Sequence, residues 1–350
     1  MNKPIAVDLF AGVGGMGLGF QQAGFNVAVA VEIDQTHSFY HSLNFPETLM
    51  MNSDINLLNG EEIRNLSTIK NNDITCVFGG SPCQGFSIEG HRNNKDIRNN
   101  LALEFVRIVC QLQPRYFVFE NVKGILSSYG KIILKNMIAK LNESAYKVLP
   151  YKIWNAKDFG VPQHRERLIM IGYRNDCNAP LPIKPPGHIN YVWDALADLP
   201  EASHYPKLFD QDFTECEYGV PSNYAKLLMV ENSKQITSSK LTRHSPEIID
   251  RFTATKPGER DSISRFRKLE AIGLSPTLKA GTGAEKGNHT AQRPIHPFYP
   301  RVITVREAAR LHSYPDSFVF HPSCMWGMRQ IGNSVPPMMA RAIAESIPQN

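Results

Sequence analysis

Apolar runs separated by stretches of helical periodicity fill the first half of the chain. The runs predict buried strands at residues 5–10, 27–31, 74–78, 116–119, 146–154 and 168–172. Between them, apolar positions recur at helical spacing, most clearly over 101–113 and 131–141. Strands that alternate with helices predict an α/β fold with a doubly wound, mostly parallel sheet.

The alternation stops near Tyr173. The segment 178–188 contains four prolines and predicts an extended linker, and from there to about residue 300 the periodicity is poor. Because single hydrophobic cores stop growing near ~250–300 residues, a chain of 350 residues predicts two domains, the second smaller and irregular.

Positive charge is concentrated in the irregular half. The net charge is +5, yet residues 234–310 hold 15 lysines and arginines against 7 aspartates and glutamates, an excess of eight. A solvated basic face and a nucleic-acid surface both explain such a cluster.

The remaining composition narrows the class of protein. No run of 18 apolar residues occurs and the first residues do not resemble a signal peptide, so we expect a cytoplasmic protein without a membrane span. Six cysteines without zinc-site spacing predict reduced thiols, no disulfides and no metal.

A glycine loop follows the first predicted strand. Gly12, Gly14 and Gly17 fit a G-x-G-x-x-G pattern, and Glu32 stands at the end of the second strand. A carboxylate there can accept ribose hydroxyls, which favours a nucleoside, although a dinucleotide, another nucleoside cofactor and chance remain open. Asp54 is a second such carboxylate or simply a helix cap.

Two further strands deliver reactive side chains. Gly79 and Gly80 lead into Cys83, which is either an exposed nucleophile or a small buried residue. Glu120 ends the next strand and is either a functional carboxylate or a cap. Arg165 and Arg167, two positions apart, are expected on one side of an incoming strand.

Six motifs occur in an order that resembles one family. They are Asp8-Leu9-Phe10-Ala11-Gly12-Val13-Gly14-Gly15 with Glu32, Pro82-Cys83-Gln84, Glu120-Asn121-Val122, Gln163-His164-Arg165-Glu166-Arg167, Arg306-Glu307-Ala308-Ala309-Arg310-Leu311 and Gln330-Ile331-Gly332-Asn333-Ser334-Val335-Pro336-Pro337. Together they resemble the DNA cytosine-5 methyltransferases, most closely the bacterial restriction-modification type. The likeness covers residues 1–175 and 300–340.

The resemblance implies a reaction and its catalytic residues. Cys83 adds to C6 of cytosine, Glu120 contacts N3 and the exocyclic amine, Arg167 holds O2, and Arg165 supports the cysteine loop or a phosphate. The methyl donor is S-adenosylmethionine, which leaves as S-adenosylhomocysteine. The implied cofactor-binding residues are Phe10, Ala11, Gly12, Gly14, Gly15, Glu32, Ile33, Asp54, Ile55, Pro82, Leu101, Asn333 and Ser334.

The resemblance also implies double-stranded DNA as substrate, with the target base flipped out of the stack. The polar segment 89–100 is expected to close over that base, and loops such as 281–293 to read sequence. The DNA-binding candidates are Ser87, Arg92, Arg98, Arg243, Arg260, Lys286 and Arg293, for each of which surface solvation is an equal explanation.

The same resemblance organises the domains. We expect a catalytic, cofactor-binding domain over 1–177, a target-recognition domain over 178–324 that includes the bracing segment 301–311, and a return to the catalytic domain over 325–350. A monomer is expected, with a cognate restriction endonuclease that acts on the same site without binding the enzyme. A related RNA cytosine-5 methyltransferase and a catalytically silent nucleic-acid-binding relative are the alternatives.

Overall fold

The structure, a computed structural model, describes residues 3–82, 101–281 and 293–349. The chain divides into two compact units, each of which draws on separate parts of the sequence. The first unit comprises Met1–Asn155, Glu166–Pro185 and Met339–Asn350, and the second comprises Ala156–Arg165 and Pro186–Met338. The functional assignment of the domains stays a prediction.

The first unit alternates strands and helices up to its last strands. In chain order these are β1 (Ile5–Leu9), α1 (Gly15–Gln22), β2 (Asn26–Glu32), α2 (Gln35–Asn44), β3 (Leu49–Asn52), α3 (Gly60–Leu66), β4 (Cys76–Gly80), α4 (Leu101–Leu112), β5 (Tyr116–Val122), α5 (Ser128–Glu143), β6 (Tyr146–Val148), β7 (Lys152–Asn155) and β8 (Glu166–Arg174).

The second unit has short elements joined by long loops. They are α6 (Val192–Leu196), β9 (Thr214–Glu215), α7 (Asn223–Lys226), β10 (Gln235–Ile236), α8 (Pro246–Ala254), α9 (Val305–Leu311) and α10 (Cys324–Asn333). The last helix, α11 (Pro337–Ala344), runs into the final segment of the first unit.

One large sheet organises the first unit, in the order β3-β2-β1-β4-β5-β8-β6, with β7 also paired to β8. The first five strands of this order are mutually parallel, whereas β8 is antiparallel to β5. The predicted α/β fold with a mostly parallel sheet is therefore confirmed.

The predicted single strand over 146–154 was wrong. The segment forms β6 and β7, which pair with different parts of β8. The break falls at Leu149-Pro150-Tyr151, and the cause is Pro150, which has no N–H to donate to a ladder.

The core of the first unit lies between the sheet and its helices. One face of α4 is buried, and its Phe105 packs against Phe117 and Phe119 of β5. Because fully burying an aromatic or aliphatic side chain contributes roughly 1.5–3 kcal/mol, this face fixes α4 against the strand that carries Glu120.

Buried ion pairs hold the second unit together. Arg301 bonds Glu201 and Glu307, and Arg310 bonds Asp198 and Asp316, all at 2.6–3.1 Å. Burial alone would raise the pKa of Glu307, but the Arg301 guanidinium outweighs it and lowers that pKa to about 2. Within the described ranges, no helix is both long and apolar enough to cross a membrane.

Candidate active site

The glycine loop after β1 holds the carboxylate of Glu32 in place. The Gly12 N–H donates to Oε2 of Glu32 at 2.8 Å, and the Asp34 N–H donates to Oε1 at 2.8 Å. Each oxygen keeps capacity to accept a further hydrogen bond. The carboxylate is partly exposed, so a ligand hydroxyl could reach it.

Backbone conformation explains two of the glycines. Gly14 has φ of 98°, and a Cβ there would overlap the ring of Phe45. Gly12 has φ of 57°, and a Cβ there would meet nothing within 4 Å. The loop therefore packs against Phe45 at Gly14. At Gly12 there is open space, where a ligand could approach the backbone.

Asp8, a buried residue of β1, bonds the backbone at the start of α1. Helix α1 has Gly14 as its N-cap and lacks a side-chain cap, and the buried Asp8 carboxyl accepts the Gly17 N–H instead. Burial, and next the negative charge of Glu32, hold the pKa of Asp8 well above its ordinary value. Sequence reasoning gave Asp8 no role.

The other predicted cofactor residues lie in varied surroundings. Phe10 is half-buried with φ of 61°, Ile33 is exposed, and Ile55 lies in the core, against which Leu101 packs. Asp54 caps a short 3₁₀ helix by accepting the Asn56 N–H at 2.9 Å, the alternative role expected for it. Pro82 is exposed, and Asn333 and Ser334 belong to the second unit.

Glycine allows close packing at the end of β4. A Cβ at Gly79 would overlap the carbonyl oxygen of Leu9, and one at Gly80 would overlap Oε2 of Glu120. The strand can thus lie against β1 while the Glu120 side chain crosses Gly80.

Glu120 and Arg167 form a buried ion pair. The Nε of Arg167 lies 2.7 Å from Oε1 of Glu120, and the side chains are only 10% and 11% exposed. The pair exists because β8 is antiparallel to β5, so that Arg167 near its start lies opposite Val122 near the end of β5. A carboxylate and a guanidinium are thereby presented together at the carboxyl end of the sheet.

Asn121 fastens the backbone that leads to Cys83. Its buried Nδ2 donates to both the carbonyl oxygen and Oγ of Ser81 at 3.1 Å, and its Oδ1 accepts the Val122 N–H at 2.9 Å. Cys83 itself lies outside the described residues. The sequence hint to Asn121 is its position beside Glu120 in the Glu-Asn-Val motif.

Arg165 is fully buried in the second unit. Its guanidinium donates to the carbonyl oxygens of Leu278, Gly332 and Ser334 at 2.7–2.9 Å. Because β8 begins at Glu166, strand alternation does not put Arg165 beside Arg167, contrary to the expectation that the two share one side of a strand. Arg165 thus bonds its own segment to two other stretches of backbone, one at Leu278 and one at Gly332 and Ser334.

Gln163 and His312 extend the same network. The Gln163 Nε2 donates to the Leu311 carbonyl and contacts Nδ1 of His312 at 3.0 Å, while Nε2 of His312 lies 3.2 Å from the Ser334 carbonyl. These partners require Nδ1 of His312 to accept and Nε2 to donate. Both side chains are fully buried, so their role is to position the backbone.

The DNA-binding candidates are scattered. Arg243 is exposed, bonds Asp210 at 2.8 Å and lies over the Phe209 ring; Arg260 is exposed; Arg293 is partly buried. The other candidates, Ser87, Arg92, Arg98 and Lys286, lie outside the described residues, as do the predicted lid and most of the predicted recognition loop.

Comparison with known proteins identifies the family. A family model described as C-5 cytosine-specific DNA methylase matches residues 5–349. The Type II methyltransferase M.XorII of Xanthomonas oryzae pv. oryzae is 44% identical in an alignment of 361 positions that covers 99% of this chain and 85% of that protein. M.DdeI of Desulfomicrobium norvegicum, also a Type II methyltransferase, is 34% identical over 97% of this chain and 88% of its own.

A solved structure agrees. The crystal structure of a candidate DNA modification methyltransferase encoded within an E. coli prophage matches with a TM-score of 0.84 and 34% identity, covering 98% of both chains. The resemblance drawn from the six motifs is therefore confirmed. The chain belongs to the family of C-5 cytosine-specific DNA methylases.

Proposed function

We propose that this protein transfers a methyl group from S-adenosylmethionine to C5 of a flipped cytosine in a short duplex DNA sequence, through a covalent adduct of Cys83. The observation that carries the proposal is the buried Glu120–Arg167 pair, at 2.7 Å, at the end of the strand next to β4. Cys83 follows β4 by three positions in the sequence, and Asn121 holds the backbone at Ser81, two positions before it.

The glycine loop fits S-adenosylmethionine. Space is open at Gly12, and Glu32 is held by two backbone N–H groups with lone pairs left for ribose hydroxyls. When bound, the cofactor supplies a methyl group made electrophilic by its sulfonium. Phe10 would stack on the adenine. The other cofactor residues, including Asn333 and Ser334, stay predictions from the resemblance.

The protein's own groups would make cytosine reactive. The Cys83 thiolate adds to C6, and the displaced electron pair moves into the ring, where Glu120 hydrogen-bonds N3 and the exocyclic amine. Arg167 contacts O2 and stabilises the negative charge that develops. C5, now electron-rich, would take the methyl group as the methyl–sulfur bond breaks, which leaves S-adenosylhomocysteine. Loss of the C5 proton to water and expulsion of the Cys83 thiolate restore the aromatic ring.

The cytosine must leave the duplex to reach these groups, at a cost of a few kcal/mol that protein contacts offset. We further propose that the enzyme modifies the site of a Type II restriction-modification system, because two curated Type II methyltransferases match nearly the whole chain. A cognate endonuclease would act on the same site without binding this protein.

Methyl transfer from labelled S-adenosylmethionine into mixed-sequence duplex DNA tests the proposal, followed by base-resolution mapping of 5-methylcytosine. We expect methylation confined to one short motif, and none with Cys83→Ser. Incorporation into transfer RNA instead of DNA would support the RNA alternative, and incorporation into neither would support the silent binder.

A further inference from the structure

We infer that the hairpin formed by residues 258–268 of the second unit binds the phosphate backbone of duplex DNA through Arg260, Arg265 and Arg267. The inference rests on the proposed function for its partner, duplex DNA. Sequence reasoning named only Arg260 of these three. What carries the inference is the conformation and charge of the hairpin.

The hairpin is rigidly built. Arg260 and Arg267 face each other in an antiparallel bridge, the Gly258 N–H donates to the Lys268 carbonyl, and the Lys268 N–H donates to the Glu259 carbonyl. Oδ2 of the buried Asp261 accepts the N–H of Ile263 and the N–H and hydroxyl of Ser264, which fixes the turn.

Helix α8 anchors this hairpin to the body of the unit. Arg251 makes two bonds to Asp261 at 3.0 and 3.2 Å, and the buried Lys268 donates to the Phe252 carbonyl at 3.1 Å. Phe266 packs against the small core around Phe252. The arginines are thus displayed on a support with little freedom to lose on binding.

The three arginine side chains are exposed and concentrated. Arg260 and Arg267 lie directly opposite each other, an arrangement that destabilises a ribbon when the charges are alike. Within the described part of the chain, no carboxylate lies within 4.0 Å of any of them, although Glu259 and Glu270 are near in sequence. By contrast, Arg301 and Arg310, two buried arginines of the same unit, are paired with carboxylates.

Arg265 gives an independent sign of function. Its φ is 61°, a left-handed conformation that costs a non-glycine residue roughly 1 kcal/mol or more and that glycine adopts freely. The side chain of Arg265 is exposed in this conformation, so its charge is accessible to a ligand. A polyanion such as DNA would neutralise the positive charges of these three arginines.

Backbone bonds join the hairpin to Ile295, which comes after the predicted recognition loop in the sequence. Lys268 bridges Ile295 in parallel, and the Leu269 N–H donates to the Ile295 carbonyl at 2.9 Å. Ile295 follows the predicted loop 281–293 by two residues. The hairpin is therefore paired with the described segment that comes directly after the predicted recognition loop in the sequence.

Salt dependence of DNA binding tests the inference. The R260Q/R265Q/R267Q variant and the wild type are titrated with a mixed-sequence duplex at several salt concentrations. Because each phosphate contact contributes about 0.9 to the slope of log affinity against log salt, we expect the slope to shrink by about 2.7 and the affinity at 0.15 M salt to fall about 100-fold. An R260K/R265K/R267K variant keeps the slope.

The matched control removes three exposed charges from α5 with K131Q/K135Q/K140Q, which should change neither slope nor methyl transfer. If the wild type binds and methylates DNA but the hairpin variant has the same salt slope as the wild type, the inference about the hairpin is wrong and the proposed function is unaffected. A wild type that methylates no DNA counts against the proposed function instead.

Arg265→Gly separates charge from structure. Glycine relieves the backbone strain, so the melting temperature should hold or rise by a few degrees, while DNA affinity at 0.15 M salt falls about 5-fold. Unchanged affinity, or a lowered melting temperature, would show that Arg265 serves the fold and not DNA.

Discussion

The Nε of Arg167 lies 2.7 Å from Oε1 of Glu120, and both side chains are almost completely buried. Loss of Arg167 would remove the opposite charge that offsets the burial of the Glu120 carboxylate. The two residues therefore act as one unit, and changes to either should affect methyl transfer more than folding of the rest of the sheet.

Glu120→Gln removes the acidic group while keeping its size. Because general acid and base groups contribute typically 10²–10⁴-fold, we expect methyl transfer to fall by about that factor. Single-turnover assays with the mapped DNA site measure it. Glu166→Gln, which removes the exposed carboxylate paired with Lys123, is the control and should keep wild-type rates. Equal rates for both variants would remove Glu120 from the mechanism.

Asn121→Ala should loosen the backbone before Cys83. It leaves the buried Ser81 carbonyl and hydroxyl without their donor, at a cost of about 1–3 kcal/mol, whereas Ser81→Ala removes one acceptor only. We expect the rate of methyl transfer and the melting temperature to fall in the order wild type, Ser81→Ala, Asn121→Ala. A methyl-transfer rate that is the same in all three proteins would contradict the positioning role.

Glu32→Ala should weaken cofactor binding. The substitution removes the acceptor expected for the ribose and frees the Gly12 and Asp34 N–H groups that fix the loop. We expect the affinity for S-adenosylhomocysteine, measured by calorimetry, to fall at least 10-fold, since hydrogen bonds to a charged group contribute about 1.5–3 kcal/mol. Glu47→Gln, at an exposed position, is the control. If Glu32→Ala bound S-adenosylhomocysteine as tightly as the wild type, the cofactor site would not include Glu32.

His41 should make the first unit sensitive to acid. Burial lowers the pKa of His41 to about 3 from its ordinary 6.5, and within the described residues neither ring nitrogen has a hydrogen-bond partner. The unfolded chain takes up a proton below pH 6.5 and the folded chain does not, so this stability is present above pH 6.5 and is lost as pH falls.

Urea unfolding at pH 6.5 and pH 5 measures that loss. With a slope of about 1.4 kcal/mol per pH unit for one proton, the wild type should lose about 2 kcal/mol more than His41→Leu over this interval. The exposed His204→Gln should behave like the wild type. Identical pH dependence in all three proteins would show that His41 takes up no proton on unfolding.

The sheet and the glycine loop could be predicted because each depends on residues that lie close together in the sequence. Apolar runs mark β1, β2, β4 and β5. Gly12 lies just after β1, and Glu32 lies at the end of β2, the next strand along the chain. The split between β6 and β7 was missed because an apolar run does not reveal which strand it pairs with, even with Pro150 inside it.

Features that depend on distant pairing could not be predicted. Arg167 meets Glu120 only because β8 enters the sheet antiparallel, and Arg301 bonds Glu201 across 100 positions of sequence. The left-handed backbone conformation of Arg265 cannot be predicted from its residue type, because arginine rarely adopts it. Such long-range and conformational facts need coordinates.

Trapping a covalent adduct tests the central claim most directly. The mapped DNA site is made with 5-fluorocytosine at the target position and incubated with S-adenosylmethionine, and the crosslinked peptide is sequenced by mass spectrometry. Because fluorine blocks the loss of a C5 proton, the account predicts a stable adduct on Cys83 that carries the transferred methyl group. A protein that methylates ordinary DNA but yields no adduct, or one on another residue, would contradict it.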